Sequence, residues 1–400
     1  MNVSHMLTNR VQSMEESATL KMSAKARELK TKFDDVISLS LGEPDFDTPE
    51  HIKAFAVQAL ADGYTKYTPV TGLVEYRKAI QTKFKRDNDL EYGMDEIIVS
   101  NGAKQSISNI CQAIVQEGDE VIVFSPYWVS YSDIVGLAGG VMVPIKADIE
   151  QDFKVTAEQL EKAITPRTKA ILFSSPCNPS GSVFTKEELE DLARVISMHK
   201  NILVIADEIY EYINFGKKHF SIGAIDSLAG RVATVNGMAK GFAMTGWRLG
   251  YMGGPAWLVK ACAKLQGQVT SGANAFGQKA ASQALLADLG PTMKMKEAFA
   301  IRRELVINLF KNIPGIKCND PKGAFYVFPD ISEYFGKSDG HITINSSEDF
   351  CEAILENTHV ALVPGIAFGN GNCFRLSYAA SEENLIDAIG RIKKYLSSFK

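Results

Sequence analysis

Between residues 95 and 255, short apolar segments rich in Val and Ile alternate with longer segments whose apolar positions recur at helical spacing. Apolar segments that end directly in polar loops are typical of buried strands, and their alternation with helices predicts a mainly parallel sheet covered on both faces. Ligand sites of such open sheets lie beyond the strand ends, so polar residues in the following loops are expected to converge. The predicted strands are residues 97–100, 121–125, 141–145, 170–174, 203–207, 232–236 and 249–253.

A different pattern follows Gly290-Pro291. The sequence predicts a long charged helix through about residue 312, a strand near residues 324–328, and helices near residues 347–357 and 381–397. Together these elements are typical of a second, smaller α+β domain. The predicted division is residues 1–48 as an N-terminal segment and part of the small domain, 49–290 as the large domain, and 291–400 as the small C-terminal domain.

Composition narrows the classes of function. The 400 residues are 46% hydrophobic and 22% charged, with a formal net charge of −4 and no Lys/Arg-rich segment, so nucleic acid is not an expected partner. No apolar stretch approaches the ~20 residues of a membrane-spanning helix, and the first thirty residues lack a signal-peptide core, so a cytoplasmic location is expected. The six cysteines and six histidines lack metal-binding spacing, so neither a disulfide framework nor a metal site is predicted.

Candidate chemistry starts with the segment NGMAKGFAMTGWRLGY, residues 236–251. Lys240 stands among Gly, Ala and Phe with no close acidic neighbour in the sequence, so its amine could lose hydration, become more nucleophilic and condense with a carbonyl. Arg248 could bind a phosphate through its planar guanidinium. The alternative is a surface loop with two ordinary cations, since such pairs are common.

Three other positions suggest ligand contacts. Asp207 ends an apolar strand, and a carboxylate there would keep a neighbouring nitrogen base protonated; the alternative is a helix N-cap. Gly102 and Ala103 join a strand to a helix, where free N–H groups and the helix dipole suit a phosphate, although a simple chain reversal would look the same. Arg375 lies in an apolar strand-like segment and would be costly to bury without an anion, which is either a ligand carboxylate or a structural salt-bridge partner.

The lysine segment resembles the pyridoxal-phosphate lysine loop of the class I aminotransferases, within the aspartate aminotransferase branch found in many bacteria. The resemblance covers essentially the whole chain. It implies a fold-type I pyridoxal-phosphate-dependent transferase whose large domain binds the cofactor, and a reaction that passes the amino group of L-aspartate to 2-oxoglutarate. Further segments that resemble this branch in order and spacing are Leu41-Gly-Glu-Pro-Asp-Phe-Asp, Lys66-Tyr-Thr, Asn101-Gly-Ala-Lys-Gln, Pro126-Tyr-Trp-Val-Ser-Tyr, Asn178-Pro-Ser-Gly, Ala206-Asp-Glu-Ile-Tyr and Phe374-Arg-Leu-Ser-Tyr-Ala.

The resemblance assigns roles around the cofactor. Asp207 is expected at the pyridine nitrogen, and Tyr210 and Asn178 at the phenolic oxygen. Trp128 is expected against the ring, with plain core packing as the alternative. Tyr67 is expected to reach the phosphate of a neighbouring subunit, which implies a homodimer. The expected cofactor-binding set is Lys240, Asp207, Tyr210, Asn178, Arg248, Gly102, Ala103, Lys104, Trp128 and Tyr67.

The same resemblance places the substrate. Arg375 is expected to bind the α-carboxylate with help from Asn178 and the backbone of Gly42. Lys104 and Thr19 match positions that recognise a distal carboxylate in this branch, whereas a solvated lysine is the alternative for Lys104. The expected substrate-binding set is Arg375, Gly42, Trp128, Asn178, Lys104 and Thr19.

Several alternatives stay open at this point. Ser180 and Ala239 depart from the commonest residues of the wider family without threatening the reaction. The pair Thr19 and Lys104 also resembles members that use prephenate, so a bifunctional aspartate/prephenate enzyme is possible. An aromatic or alanine aminotransferase or a C–S lyase on the same fold would need the same cofactor residues. A cofactor-sensing regulator would require an additional DNA-binding region, for which the sequence gives no sign.

Overall fold

The computed structural model describes residues 6–12, 14 and 16–400. This part of the chain forms a large seven-stranded sheet, two smaller sheets and the helices that cover them. The helices are α1 Asn9–Gln12, α2 Ala18–Lys30, α3 Glu50–Ala61, α4 Val74–Asn88, α5 Ala103–Ile114, α6 Ser130–Leu137, α7 Ala157–Ala163, α8 Lys186–Ser197, α9 Ala256–Val269, α10 Ala275–Leu286, α11 Gly290–Phe310, α12 Ser347–Thr358 and α13 Glu382–Leu396. The strands are β1 Ile37–Ser38, β2 Ile97–Ser100, β3 Glu120–Ser125, β4 Val141–Lys146, β5 Thr168–Ser174, β6 Leu203–Asp207, β7 Val232–Gly237, β8 Gly250–Gly253, β9 Tyr326–Val327, β10 Val360–Ala361, β11 Val363–Pro364 and β12 Phe374–Ser377.

The large sheet has the strand order β2-β8-β7-β6-β5-β3-β4. Only β8 runs antiparallel to its neighbours β2 and β7, and the remaining pairs are parallel. The predicted mainly parallel sheet is therefore confirmed, and each predicted strand is present with its ends shifted by at most two residues.

Alternate residues of the central strands supply two separate cores. On β3, Val121 and Val123 face a cluster built with α5, α6 and α9, whereas Ile122 and Phe124 face a cluster built with α7 and α8. A strand buried on both faces must be apolar at every position, which explains why these segments are continuous apolar runs rather than alternating ones. Burial of each such side chain contributes roughly 1.5–3 kcal/mol, so the sheet forms a rigid support for the loops at its edge.

The carboxyl ends of the parallel strands lie along one edge of this sheet. The chain leaves β2, β3, β5, β6 and β7 at that edge, and a residue named in the sequence analysis lies at the end of each strand or a few residues beyond it: Gly102, Trp128, Asn178, Asp207 and Lys240. Because β8 is antiparallel, the residues just before it, including Arg248, lie at the same edge. The topology thus brings together residues that are far apart in the sequence.

The C-terminal part has its own core. Strands β11, β12 and β9 form an antiparallel sheet that packs with α11, α12 and α13. The N-terminal segment joins this part, because β1 pairs in parallel with β10 through Ile37 opposite Val360 and because Met22 and Leu39 lie in the same core. The division at residues 48 and 290 stays a prediction. Among the described residues, no helix combines the length and apolar character needed to cross a bilayer.

Candidate active site

A cavity of about 420 Å³ lies at the carboxyl edge of the large sheet. It is bounded by loops of that sheet, by α2, by the segment between β1 and α3, and by β9 and β12. The convergence expected from the strand order is therefore present. The sequence-predicted residues that line it are Thr19, Gly42, Gly102, Ala103, Lys104, Trp128, Asn178, Asp207, Tyr210, Lys240, Arg248 and Arg375.

Lys240 projects into the cavity from the loop after β7. Its ammonium group donates a hydrogen bond to the carbonyl oxygen of Gly42 and lies 5.6 Å from the ring centroid of Tyr210. Burial and the positive charge of Arg375 lower the pKa of Lys240 to about 8. A larger fraction of this lysine than of an exposed one therefore carries a free electron pair near neutral pH, as a nucleophile or general base requires.

Asp207 ends β6 on the cavity floor and is 5% exposed. Burial raises the pKa of its carboxyl group to about 6, although Tyr131 and the backbone of Ile209 oppose this by donating hydrogen bonds of 2.8 and 3.2 Å. These two donors favour the ionised carboxylate. Asp207 is therefore a fixed, buried acceptor suited to a cationic ring N–H group.

The opposite end of the cavity is suited to a phosphate. Gly102 adopts a φ of +83° immediately before α5, and a Cβ atom there would collide with the guanidinium of Arg248. Arg248 is itself held by a 2.9 Å hydrogen bond from Nη1 to the carbonyl oxygen of Thr245. The close approach allowed by this glycine places an arginine at the positive end of a helix dipole, an arrangement that favours an anion.

Arg375 is 2% exposed and lies on β12 at the other wall. Its Nη1 donates to Asn178 Oδ1 at 2.9 Å and its Nη2 to the carbonyl oxygen of Ser40 at 2.5 Å, whereas its Nε has no hydrogen-bond partner. Within the described chain, these neutral oxygens are its only hydrogen-bond acceptors. A buried guanidinium without a carboxylate is costly, so this site is prepared for an anionic ligand.

Lys104 and Trp128 line the same cavity. The Lys104 ammonium lies 4.8 Å from the Trp128 ring centroid, and the Trp128 ring contacts Tyr131 edge-on at 5.6 Å. Partial burial and the nearby Arg248 lower the pKa of Lys104, while Asp133 raises it. Thr19, from α2, lines the same cavity. A cation and a hydroxyl are thus available to a second polar group of a ligand.

Tyr67 is the exception among the predicted residues. It is 99% exposed and does not line this cavity. It lies instead beside Tyr64, Asn274 and Phe276 in a separate surface hollow. Within the described chain, Tyr67 therefore has no part in the site, and its predicted role depends on a second subunit.

The sequence analysis did not assign roles to three residues that the structure places at the site. Tyr131 holds Asp207, and its only sequence signal is that it ends the segment at 126–131. Tyr326 contacts Tyr210 and lies in a strand that was predicted for its apolar residues alone. Glu43 lines the cavity and accepts a 3.2 Å hydrogen bond from Thr245. These roles depend on partners distant in sequence, which local patterns do not identify.

A buried charged cluster lies next to the site, outside the cavity. Glu208, Glu211 and His219 place one ligand-type atom each within 4.8 Å of one another, a grouping that could hold a metal ion. However, the ammonium group of Lys83 forms an ion pair with Glu211 and donates to Asn88 Oδ1 at 2.5 Å. A lysine therefore already supplies the cation of this cluster.

Comparison with known proteins identifies the class. Residues 34–392 match the family model for aminotransferase class I and II. The chain is 45% identical over 395 residues to an aspartate/prephenate aminotransferase of Nitrosomonas europaea, covering 98% of this chain and 100% of that protein. It is 44% identical over 393 residues to an aspartate aminotransferase of Bacillus sp. strain YM-2, covering 98% and 99%. The crystal structure of the aspartate aminotransferase from Rhizobium meliloti superposes with a TM-score of 0.95 at 42% identity, covering 98% of this chain and 99% of that one.

The chain therefore belongs to the class I and II aminotransferases. It is a transaminase of the bacterial aspartate aminotransferase branch, and it has the fold-type I architecture expected from its sequence.

Proposed function

We propose that this protein binds pyridoxal 5'-phosphate through Lys240 and transfers the amino group of L-aspartate to 2-oxoglutarate, giving oxaloacetate and L-glutamate in two successive half-reactions. The observation that carries this proposal is the buried Arg375, which shares one cavity with Lys240 and Asp207 and whose guanidinium has no carboxylate partner among the described residues. An amino acid would supply the missing carboxylate.

The residues fit the proposed cofactor at three points. Gly102 and Arg248 suit its phosphate, because they combine a helix N-terminus with a guanidinium. Asp207 suits its ring nitrogen, because a buried carboxylate with two fixed donors favours a protonated partner. Tyr210 and Asn178 line the same cavity and can hydrogen-bond its phenolic oxygen.

When bound, the cofactor supplies an aldehyde that an amine can hold covalently and a conjugated ring that accepts the electron pair released at the amino acid's α-carbon. Lys240 Nζ accepts the proton from that α-carbon and holds it for return, because its lowered pKa suits a general base near neutral pH. Asp207 stays ionised and stabilises positive charge on the ring nitrogen. Arg375 orients the α-carboxylate and so fixes which bond at the α-carbon is aligned for cleavage.

The preference for aspartate depends on Lys104. L-Aspartate carries two carboxylates, and Arg375 and Lys104 offer one cation to each within the same cavity. Glu43 also lines this cavity, and its negative charge disfavours a ligand with more than two carboxylates. The site is thus suited to a short dicarboxylic amino acid.

Substitution Lys240→Ala tests the chemistry. It removes both the covalent attachment and the general base, so we expect turnover to fall by at least about 10⁴-fold and the visible absorbance of lysine-bound cofactor to disappear. The control is Lys260→Met, which changes an exposed lysine of α9. Appreciable turnover in the Lys240→Ala protein would refute the assignment.

Substitution Lys104→Met tests the substrate. Loss of a charge-assisted hydrogen bond should reduce kcat/KM for L-aspartate roughly 10- to 100-fold and leave kcat/KM for L-alanine nearly unchanged. Equal losses for both amino acids would show that Lys104 does not recognise the side-chain carboxylate.

Prephenate is a second candidate amino acceptor. Thr19 lines the same cavity as Lys104, and similar proteins such as that of Nitrosomonas europaea are named aspartate/prephenate aminotransferases. A coupled assay with prephenate and L-aspartate tests this candidate. Formation of the aminated product at a rate comparable to that with 2-oxoglutarate would make the enzyme bifunctional.

The proposed active unit is a homodimer. Tyr67 is exposed in the single chain and would approach the phosphate end of a neighbouring cavity. Sedimentation at micromolar concentration tests the dimer, and Tyr67→Phe should weaken cofactor binding without changing the mass of the assembly. The cytoplasmic location stays a prediction of the sequence.

A further inference from the structure

Tyr326 lies between Arg375 and Tyr210, and it contacts both. It begins β9, is fully buried, and lies opposite Ser377 of β12, two residues beyond Arg375. Its hydroxyl group lies 2.7 Å from the hydroxyl of Tyr210, and the Arg375 Cζ lies 4.6 Å from its ring centroid. One phenol therefore contacts both the predicted substrate cation and a predicted cofactor ligand.

Binding of a ligand determines which of the two hydroxyl groups, that of Tyr326 or that of Tyr210, donates the hydrogen bond between them. Each hydroxyl has one proton to donate, so either can be the donor in the protein alone. Once Tyr210 donates to the phenolic oxygen of a cofactor, Tyr326 has to donate to Tyr210. Within the described residues the Tyr326 hydroxyl makes no other hydrogen bond, so no competing acceptor takes its proton.

The position of Tyr326 is fixed from a third side. A Cβ atom on Gly42 would lie 2.6 Å from the Tyr326 hydroxyl, so only glycine allows this segment to approach so closely. The carbonyl oxygen of the same Gly42 accepts the hydrogen bond from Lys240. The phenol is thus held among the lysine, the tyrosine and the arginine.

We propose that Tyr326 is a positioning residue that couples occupation of Arg375 by a carboxylate to the strength of the hydrogen bond that Tyr210 donates to the cofactor. This inference rests on the proposed function, because it requires the cofactor at Tyr210 and a carboxylate at Arg375. It concerns a residue that acts through its neighbours rather than by touching the reacting atoms.

The coupling follows from simple electrostatics. The Arg375 cation withdraws electron density from the Tyr326 ring, which makes the hydroxyl a stronger donor to Tyr210 and makes Tyr210 in turn a stronger donor. A substrate carboxylate neutralises Arg375 and weakens this chain. The nitrogen of Lys240 bound to the cofactor then becomes more basic when substrate is present. The other charged groups that act on this region are Glu43, Asp207, Arg248 and Lys240 itself.

The test is a pH titration of the visible absorbance of cofactor-loaded protein, with and without saturating succinate, a dicarboxylate that has no amino group to transfer. For the unchanged protein we expect succinate to move the titration midpoint to higher pH. In Tyr326→Phe the midpoint without succinate should already be higher by roughly half a pH unit, and the succinate-induced movement should be smaller by a similar amount.

Tyr378→Phe is the matched control. Tyr378 is also a fully buried tyrosine of this part of the chain, but its hydroxyl donates to the Ala324 carbonyl oxygen at 3.1 Å rather than to Tyr210. Both variants should unfold at similar temperatures, and Tyr378→Phe should titrate like the unchanged protein. If both variants show the same change in titration midpoint, the change is due to a general packing effect and the proposed coupling is refuted.

The two proposals fail in different ways. If the unchanged protein has no titrating visible band, or if succinate does not move its midpoint, the assignment of Lys240 and Arg375 is wrong. If the unchanged protein responds to succinate and Tyr326→Phe responds equally from the same starting midpoint, the proposed function stands and the coupling through Tyr326 is refuted.

Discussion

Two buried cations, Arg375 and Lys83, lie in contrasting surroundings. Both are at most 2% exposed. Lys83 forms an ion pair with Glu211, donates to Asn88 and lies 4.0 Å from Asp87. Within the part of the chain that the structure describes, Arg375 donates only to neutral oxygens and its Nε has no partner.

The contrast distinguishes a structural charge from a functional one. The protein compensates Lys83 internally, so its charge contributes to the folded state and needs no ligand. Arg375 is desolvated without compensation, and burial accordingly lowers its pKa. The folded protein therefore keeps a buried positive charge that lacks a neutralising anion at the place where a substrate carboxylate would bind.

The substitution Arg375→Met is expected to have the largest effect, and this effect should be on activity rather than on stability. Loss of two charge-assisted hydrogen bonds to a carboxylate should reduce kcat/KM roughly 10²- to 10⁴-fold for aspartate and for monocarboxylic amino acids alike. The free energy of unfolding should change by no more than about 2 kcal/mol, because an uncompensated buried charge is removed together with its hydrogen bonds. Steady-state kinetics and urea unfolding measure the two effects. A large loss of stability with normal kinetics would reverse the interpretation of Arg375.

Lys83→Met should have the opposite effect. Its removal leaves the buried carboxylate of Glu211 without its cation, so the free energy of unfolding should fall by about 3–5 kcal/mol. The kcat/KM of the folded fraction should stay within a few-fold of normal, because Lys83 does not line the cavity.

The double variant Lys83→Met with Glu211→Leu is the control for this stability loss. Removing both charges should restore much of the lost stability, since no uncompensated charge remains in that pair. Additive losses in the double variant would show that the cluster acts through packing rather than through charge.

The two cations also show what the sequence could predict. Arg375 was a candidate because it stands in a short apolar strand, where a charge is conspicuous. Lys83 was not, because it lies in α4 among several other charged residues and its buried ion-pair partner, Glu211, is distant in the sequence. The strands of the large sheet were predicted within two residues because apolar runs are local features, whereas the burial of one side of a charged helix depends on contacts with distant residues.

For the site as well, local features could be predicted from the sequence and long-range contacts could not. Asp207 ends a predicted strand, and Asn178 and Lys240 each follow one, so their convergence could be expected from the topology of a parallel sheet. The contacts of Tyr131 with Asp207 and of Tyr326 with Tyr210 could not, because they join side chains separated by 76 and 116 residues. Long-range hydrogen bonds of this kind have no local signature.

Substitution of His219 should have the smallest effect. It tests whether the positive and negative charges balance in the buried cluster that His219 and Lys83 form with Glu208 and Glu211. Burial by itself lowers the pKa of His219, but the carboxylates of Glu208 and Glu211 together raise it above its ordinary value of 6.5. With His219 protonated, Lys83 and His219 balance the two glutamates.

A raised pKa in the folded state means that the stabilisation by His219 is fully present below pH 6.5 and is lost as the pH rises through the folded-state value. His219→Asn should therefore lower the free energy of unfolding by about 1–3 kcal/mol at pH 6 and by less at pH 9. Urea unfolding of both proteins at several pH values measures the difference. A difference that stays constant or grows with pH would mean that His219 is neutral in the folded protein, and the cluster would then carry a net negative charge beside Asp207.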